Sequence, residues 1–138
     1  MELLNIYYFC IHKERAVKLL GKKAIVTGAA KGMGAAITTT LAREGADILL
    51  TARDVAALDE VAAEVRALGR EAHVIACDVI EEDQVAAMVA KAKEVFDGQI
   101  DILINVAGVT GPIETPVQDI KVEDFDYVIT ANERGTFL

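Results

Sequence analysis

The sequence predicts an α/β fold: a doubly wound parallel sheet of four strands in the order 3-2-1-4, with helices on both faces. Three observations predict it. Short apolar runs alternate strictly with amphipathic helical patterns, the signature of repeated βαβ units. A glycine-rich turn, Thr27-Gly28-Ala29-Ala30-Lys31-Gly32-Met33-Gly34, joins the first apolar run to an alanine-rich helical segment. The chain has 138 residues, 53% of them hydrophobic and 26% charged, which suits one domain with a real core and argues against disorder.

Each element has a local reason. Lys23 to Thr27 reads as a short buried strand, and Met33 to Glu44 as a helix that Gly45 can end. Ala46 to Thr51 is a second strand. Asp54 is placed to cap a helix with Leu58, Val61, Ala62, Val65 and Leu68 on one face, and Gly69 stops it. Ala72 to Ala76 is a third strand. Glu81 to Phe96 is a helix with Val85, Met88, Val89, Ala92 and Phe96 as its stripe; acids in its first turn and lysines late in it suit the helix dipole. Asp97-Gly98 turns the chain into a fourth strand, Ile100 to Asn105. Gly108 to Lys121 reads as a loop with both prolines, and Val122 onward as a helix running to the last residue. Crossovers between the parallel strands should be right-handed. The run Thr38-Thr39-Thr40 is unfavourable inside a helix, and the sequence offers no reason for it.

Residues 1–20 read as an extension outside this pattern. Their apolar run, Leu3 to Ile11, is far shorter than the ~20 residues a bilayer span needs. Glu2 and the small-residue-poor flanks do not suit a secretory signal. Two readings stand: a helix lying on the domain, or the product of an upstream start codon.

The net charge of −8 argues against nucleic-acid and anionic-membrane partners, but not against a local phosphate site. Cys10 and Cys77 lack disulfide-framework or zinc spacing, so reduced thiols and a cytoplasmic setting are expected. His12 and His73 stand apart from any ligand cluster, so no metal site is expected.

The chemistry concentrates at strand ends. Open α/β sheets bind ligands at the carboxyl ends of their strands, near the point where strand order reverses. Four stretches fall there: the glycine turn, Thr51 to Asp54, Cys77 to Val79, and Asn105 to Gly108. At the turn, Gly28 can leave the strand sharply, Gly32 lets a pyrophosphate approach the backbone, and Gly34 lets the helix pack closely. The helix N-terminus beyond it presents free N–H groups and a partial positive charge. Taken alone, the turn is equally a plain strand-to-helix connection; the agreement of four strand ends favours a ligand site.

These motifs resemble the short-chain dehydrogenases/reductases. The Thr-Gly-x-x-x-Gly-x-Gly turn of that family is similar to Thr27–Gly34, its Asp-Val pair to Asp78-Val79, and its Asn-Asn-Ala-Gly segment to Asn105 to Gly108, with Val106 in place of the second Asn. Its catalytic Asn resembles Asn132, within the stretch Asp124 to Phe137. The resemblance covers roughly residues 20–138 and implies a Rossmann-like fold, incomplete after the fourth strand and the start of the next helix: an extension over 1–20 and an NAD(P)-binding domain over 21–138. It implies an NAD(P)-dependent oxidoreductase that reduces carbonyls or oxidises alcohols, similar to 3-oxoacyl-carrier-protein reductases or sugar and alcohol dehydrogenases. It also implies a homo-oligomer of the intact enzyme acting on a small alcohol or carbonyl substrate.

The cofactor-binding residues carried over are Gly28, Lys31, Gly32, Met33, Gly34, Arg53, Asp78, Val79, Asn105, Ala107 and Gly108. Asn132 takes the family's role of holding a water in the proton relay. The family's Ser and Tyr-x-x-x-Lys find no match here: Tyr127 is followed four residues on by Ala131, Tyr7 by Ile11 and Tyr8 by His12. Without that lysine-supported acid, this chain alone is expected to be inactive as a dehydrogenase. The second reading, from another class, is a non-catalytic dinucleotide-binding remnant. For the cofactor, NADP is expected over NAD: Ala52 stands where NAD-preferring relatives carry an acid, followed by Arg53, with Lys31 as a second cation.

Overall fold

A computed structural model describes residues 17–138. Four parallel strands form one sheet in the order β3-β2-β1-β4, as the alternation predicts. The elements are β1 (Lys23–Thr27), α1 (Gly32–Arg43), β2 (Asp47–Ala52), α2 (Val55–Ala67), β3 (Ala72–Ala76), α3 (Glu82–Val95), β4 (Ile102–Asn105) and α4 (Val122–Ile129). A 3-10 turn, Val117–Asp119, interrupts the long loop, and a short helix, Gly135–Phe137, ends the chain.

Side chains alternate across a strand, so the two central strands feed two separate cores. Ala24 and Val26 of β1 and Ile48 and Leu50 of β2 pack with Ala42 of α1 and with Leu58, Val61, Ala62 and Val65 of α2. The residues between them, Ile25 and Leu49, point to the other face, against Val85, Met88 and Ala92 of α3 and Phe96, which caps it. Ile48, Leu49, Leu50 and Leu58 are completely buried. His73 packs edge-on against Phe96, ring centroids 5.6 Å apart, so it serves the fold.

At the end of the sheet remote from the glycine turn, Asp47 is buried and charged. Its carboxylate accepts hydrogen bonds from Lys23 Nζ at 2.7 Å, from the Glu71 backbone N–H at 2.9 Å, and from Arg70. Burial alone pushes its pKa up, but these three donors outweigh that and hold it below the usual carboxylate value.

The sequence reading needs four corrections here. The fourth strand begins at Ile102 rather than Ile100, because the Asp101 carboxylate takes the Lys23 N–H at 2.8 Å and Ile100 turns inward against the α3 core. Leu68 is 42% exposed, because the helix has already ended and it serves as the cap residue. The last helix runs on as expected but is not α throughout: after α4 it widens into a π turn over Thr130–Arg134. The three threonines are accommodated by bonding back into their own helix: Thr38 to Gly34 O at 2.8 Å, Thr39 to Ala35 O at 3.2 Å and Thr40 to Ala36 O at 2.7 Å.

Of the N-terminal extension, residues 1–16 lie outside the described residues. The turn after them sits on the domain: the Leu19 N–H donates to Glu44 O at 2.7 Å, and the Leu19 side chain joins the α1/α2 core.

Candidate functional site

The turn after β1 is shaped by backbone packing. Gly28 has φ +66°, and a Cβ there would lie 2.8 Å from the Ala107 nitrogen. Gly34 opens α1 so close to β1 that its Cβ would lie 2.0 Å from Gly28 O. These two glycines bring three backbone segments together: the end of β1, the start of α1 and the exit of β4. Thr27 completes the junction, its buried hydroxyl oxygen accepting N–H bonds from Val106 at 3.1 Å and Ala107 at 3.2 Å. Gly32 differs. Its φ is +54°, yet nothing lies within 4 Å of where a Cβ would be. The backbone is bare there, and no side chain caps the N-terminus of α1. Uncapped N–H groups beside an open, positively curved turn are a ready anion site.

A cleft of about 320 Å³ opens above this junction. Of the residues expected to hold a cofactor, Gly28, Lys31, Met33, Gly34, Arg53, Asp78, Val79, Ala107 and Gly108 line it. Gly32 and Asn105 are not in the lining; Asn105 ends β4 beside Thr27, its side of the strand exposed. Asn132, an exposed residue, is not in the lining either. Its side-chain oxygen accepts the Val109 N–H at 2.8 Å and its Nδ2 donates to Val109 O at 2.9 Å, so both ends of the amide clamp the segment after Gly108. Gly108 is needed for this approach, since a Cβ would come within 2.9 Å of the Asn132 oxygen. The π turn that carries Asn132 is anchored in its turn by Arg134, which donates to Ile80 O at 3.1 Å.

The far end of the cleft is polar. Asp78 is fixed by its loop: its N–H donates to Gln84 Oε1 at 2.9 Å, and its carboxylate accepts the Ile80 N–H at 3.3 Å. Arg53 Nη1 lies 3.7 Å from Asp78 Oδ2. Asp54 is a helix cap, accepting the Ala57 N–H at 3.2 Å, which keeps its carboxylate occupied with α2.

Sequence reasoning missed four residues on this site. Thr27 was read as part of a motif without a role. Val106 fills the cleft floor as an apolar residue. Cys77 lines the cleft with its side chain buried, and burial pushes its thiol pKa up, leaving it an unreactive protonated group. Tyr127 was set aside for lacking a lysine partner, but its hydroxyl accepts a hydrogen bond from Arg53 Nη1 at 3.2 Å. A signal for it was available: Tyr127 and Ala131 are four apart and share a helix face, and both line the cleft.

Known proteins carry the same architecture. The chain matches the short chain dehydrogenase family over residues 22–138. It is 36% identical over 130 residues to an NADPH-dependent aldehyde reductase-like chloroplastic protein of Arabidopsis thaliana, covering 87% of this chain and 48% of that one. The solved structure of an NAD+-bound xylitol dehydrogenase superposes with a TM-score of 0.83 at 40% identity, covering 87% of this chain and 45% of that one. A hydroxysteroid dehydrogenase from Escherichia coli superposes with a TM-score of 0.81 at 33% identity, covering 88% of this chain and 50% of that one. The chain thus spans about half the length of the relatives it matches.

Proposed function

The chain belongs to the short-chain dehydrogenase family, and from that premise we propose that it forms the dinucleotide-binding part of an NAD(P)-dependent oxidoreductase acting on a small carbonyl or alcohol. One observation carries the reading: a bare glycine turn and an uncapped helix N-terminus open onto a cleft with Asp78 and Arg53 at its other end. That spacing of features suits a molecule with a pyrophosphate at its middle and a polar adenosine at one end.

In this reading the α1 N-terminus and Gly32 receive the pyrophosphate, and the close contact of Gly34 on Gly28 keeps that terminus aimed at it. Asp78 accepts a hydrogen bond from the adenine amino group, with Val79 against the ring. Met33, Ala107 and Gly108 shape the path toward the reacting end, and Asn105 supports it from β4. Bound there, the dinucleotide supplies or accepts the hydride. Asn132 acts on the same end, as the residue assigned to the water of the proton relay; its side chain holds Val109, so it contributes through the π turn it fixes. The sequence holds no Tyr-x-x-x-Lys, so this chain alone is expected to bind cofactor without turning over a carbonyl.

NADP is the preferred cofactor in this proposal. Ala52 offers no acid to a ribose 2′-hydroxyl, Asp54, which also lines the cleft, gives one carboxylate oxygen to its helix cap, and Arg53 and Lys31 line the cleft as cations. Relatives named for NADPH and a relative bound to NAD+ are both similar to this chain, so the choice rests on these side chains. A cytoplasmic setting and self-association of the intact enzyme belong to the same proposal. Equilibrium titration of the chain with NADPH and NADH tests it. NADPH should bind at least several-fold more tightly, and Arg53→Ala and Lys31→Ala should weaken NADPH selectively. Preference for NADH, or loss of both cofactors equally in these variants, overturns the NADP assignment.

A further inference from the structure

Arg53 does not hang free at the mouth of the cleft. It follows the last residue of β2, on one wall, while Tyr127 belongs to α4, on the other. The Arg53 Nη1–Tyr127 hydroxyl hydrogen bond of 3.2 Å therefore spans the cleft. Asp78 Oδ2, 3.7 Å from the same Nη1, supports it by charge from β3's side. Both contacts use one nitrogen. Among the described residues, Nε and Nη2 of Arg53 make no hydrogen bond, and these two donors form one edge of the planar fork. A fork held by one corner, on a residue that lines the cleft, keeps its other edge available for a bidentate oxyanion. Left unheld, an arginine that is 64% exposed in its side chain samples many rotamers and loses that advantage on binding.

We propose that Tyr127 is a positioning residue for Arg53, and that the pair selects dinucleotides carrying a 2′-phosphate on the adenosine ribose. This rests on the dinucleotide reading above and deepens it. The tyrosine touches neither reacting atoms nor, in this assignment, the phosphate; it acts through the guanidinium. The ring also fits this use. Tyr127 is 39% exposed, so its hydroxyl is not held by a buried network that a phenylalanine would break.

The test uses Tyr127→Phe in the full chain, with binding measured for NADP, NAD, adenosine 2′,5′-bisphosphate and AMP. Ordering one long side chain on binding costs about 0.5–1.5 kcal/mol, so once Tyr127 no longer holds Arg53, NADP and the bisphosphate should weaken by roughly two- to tenfold. NAD and AMP should be unchanged. In an Arg53→Ala background, adding Tyr127→Phe should have no further effect on NADP, because the residue it positions is gone. Equal weakening of all four ligands, no change in any, or an undiminished effect in the Arg53→Ala background overturns the role of Tyr127 while leaving the cofactor site standing. Failure of the wild-type chain to bind either dinucleotide overturns both readings.

Discussion

Replacing Gly34 with alanine should destabilise this domain, against the ordinary trend for helices. In a helix, Gly→Ala normally gains about 0.5–1 kcal/mol, because alanine loses less backbone entropy on folding. Gly34 is the third residue of α1, near the end where that gain is smallest. Its Cβ would lie 2.0 Å from Gly28 O and 2.7 Å from Gly28 C. Both partners are backbone, so no rotamer change relieves the contact. Restoring an ordinary separation means lifting the start of α1 from β1 by about 1 Å. Overpacking of this kind costs about 1–3 kcal/mol. The clash outweighs the propensity gain, leaving a net loss of about 1–2 kcal/mol. With a urea dependence of about 1–3 kcal/mol per molar, the unfolding midpoint should fall by roughly 0.3–2 M. Urea denaturation followed by circular dichroism measures it. NADPH binding should fall further than stability accounts for, because the displaced terminus is the proposed pyrophosphate contact. A midpoint equal to or above that of the unaltered chain would show that α1 does not rest on β1 as closely as described.

Other outcomes follow from the same structure. Asp47 has a folded pKa below its unfolded value, so its stabilisation is complete above the unfolded value of 3.8 and is lost as pH falls through the folded one. Asp101, held down first by the Lys23 N–H, acts in the same direction. Stability measured from pH 7 down to pH 2 should therefore drop in acid, and Asp47→Asn should flatten that drop. The same variant should cost about 1–3 kcal/mol at pH 7, less than the 3–5 typical of a broken buried pair, because Lys23 and Arg70 are 19% and 23% exposed and can turn to water. Asn132→Ala removes both hydrogen bonds to Val109 and should lower stability by about 1–3 kcal/mol; an unchanged midpoint would deny the clamp. Among the described residues β4 is an edge strand with Leu103 53% exposed, so Leu103→Lys should reduce self-association in light scattering, and an unchanged particle size would argue against pairing along that edge.

The sheet was legible because its signals are local and repeated. The two central strands, β1 and β2, carry apolar runs buried on both faces, and each long helix carries one stripe; hence Ile48, Leu49 and Leu50 read directly as core. The glycine turn was legible for a related reason, since Gly28 and Gly34 are demanded by backbone contacts that any side chain would close. Boundaries were less legible where a side chain competes with the ladder. Asp101 shortens β4 by capturing a backbone N–H, and nothing in the apolar run announces it. Asn132, within the π turn, bonds to Val109, 23 residues away, a pairing no local periodicity reports. Tyr127 was hidden for the same reason: its partner Arg53 is 74 residues distant, and only the assembled cleft brings them together.

The bare turn at Gly32 and the cleft above it are proposed to receive a nicotinamide dinucleotide. Amide chemical shifts of the isotopically labelled chain, followed during titration with NADPH, test it most directly. Saturable shifts should concentrate at Gly32, Met33 and Gly34, at Asp78 and Val79, and at Ala107 and Gly108, with little change at the remote end around Asp47. Shifts that leave the Gly32–Gly34 amides unmoved while NADPH binds elsewhere, or no shifts at millimolar NADPH, would contradict it.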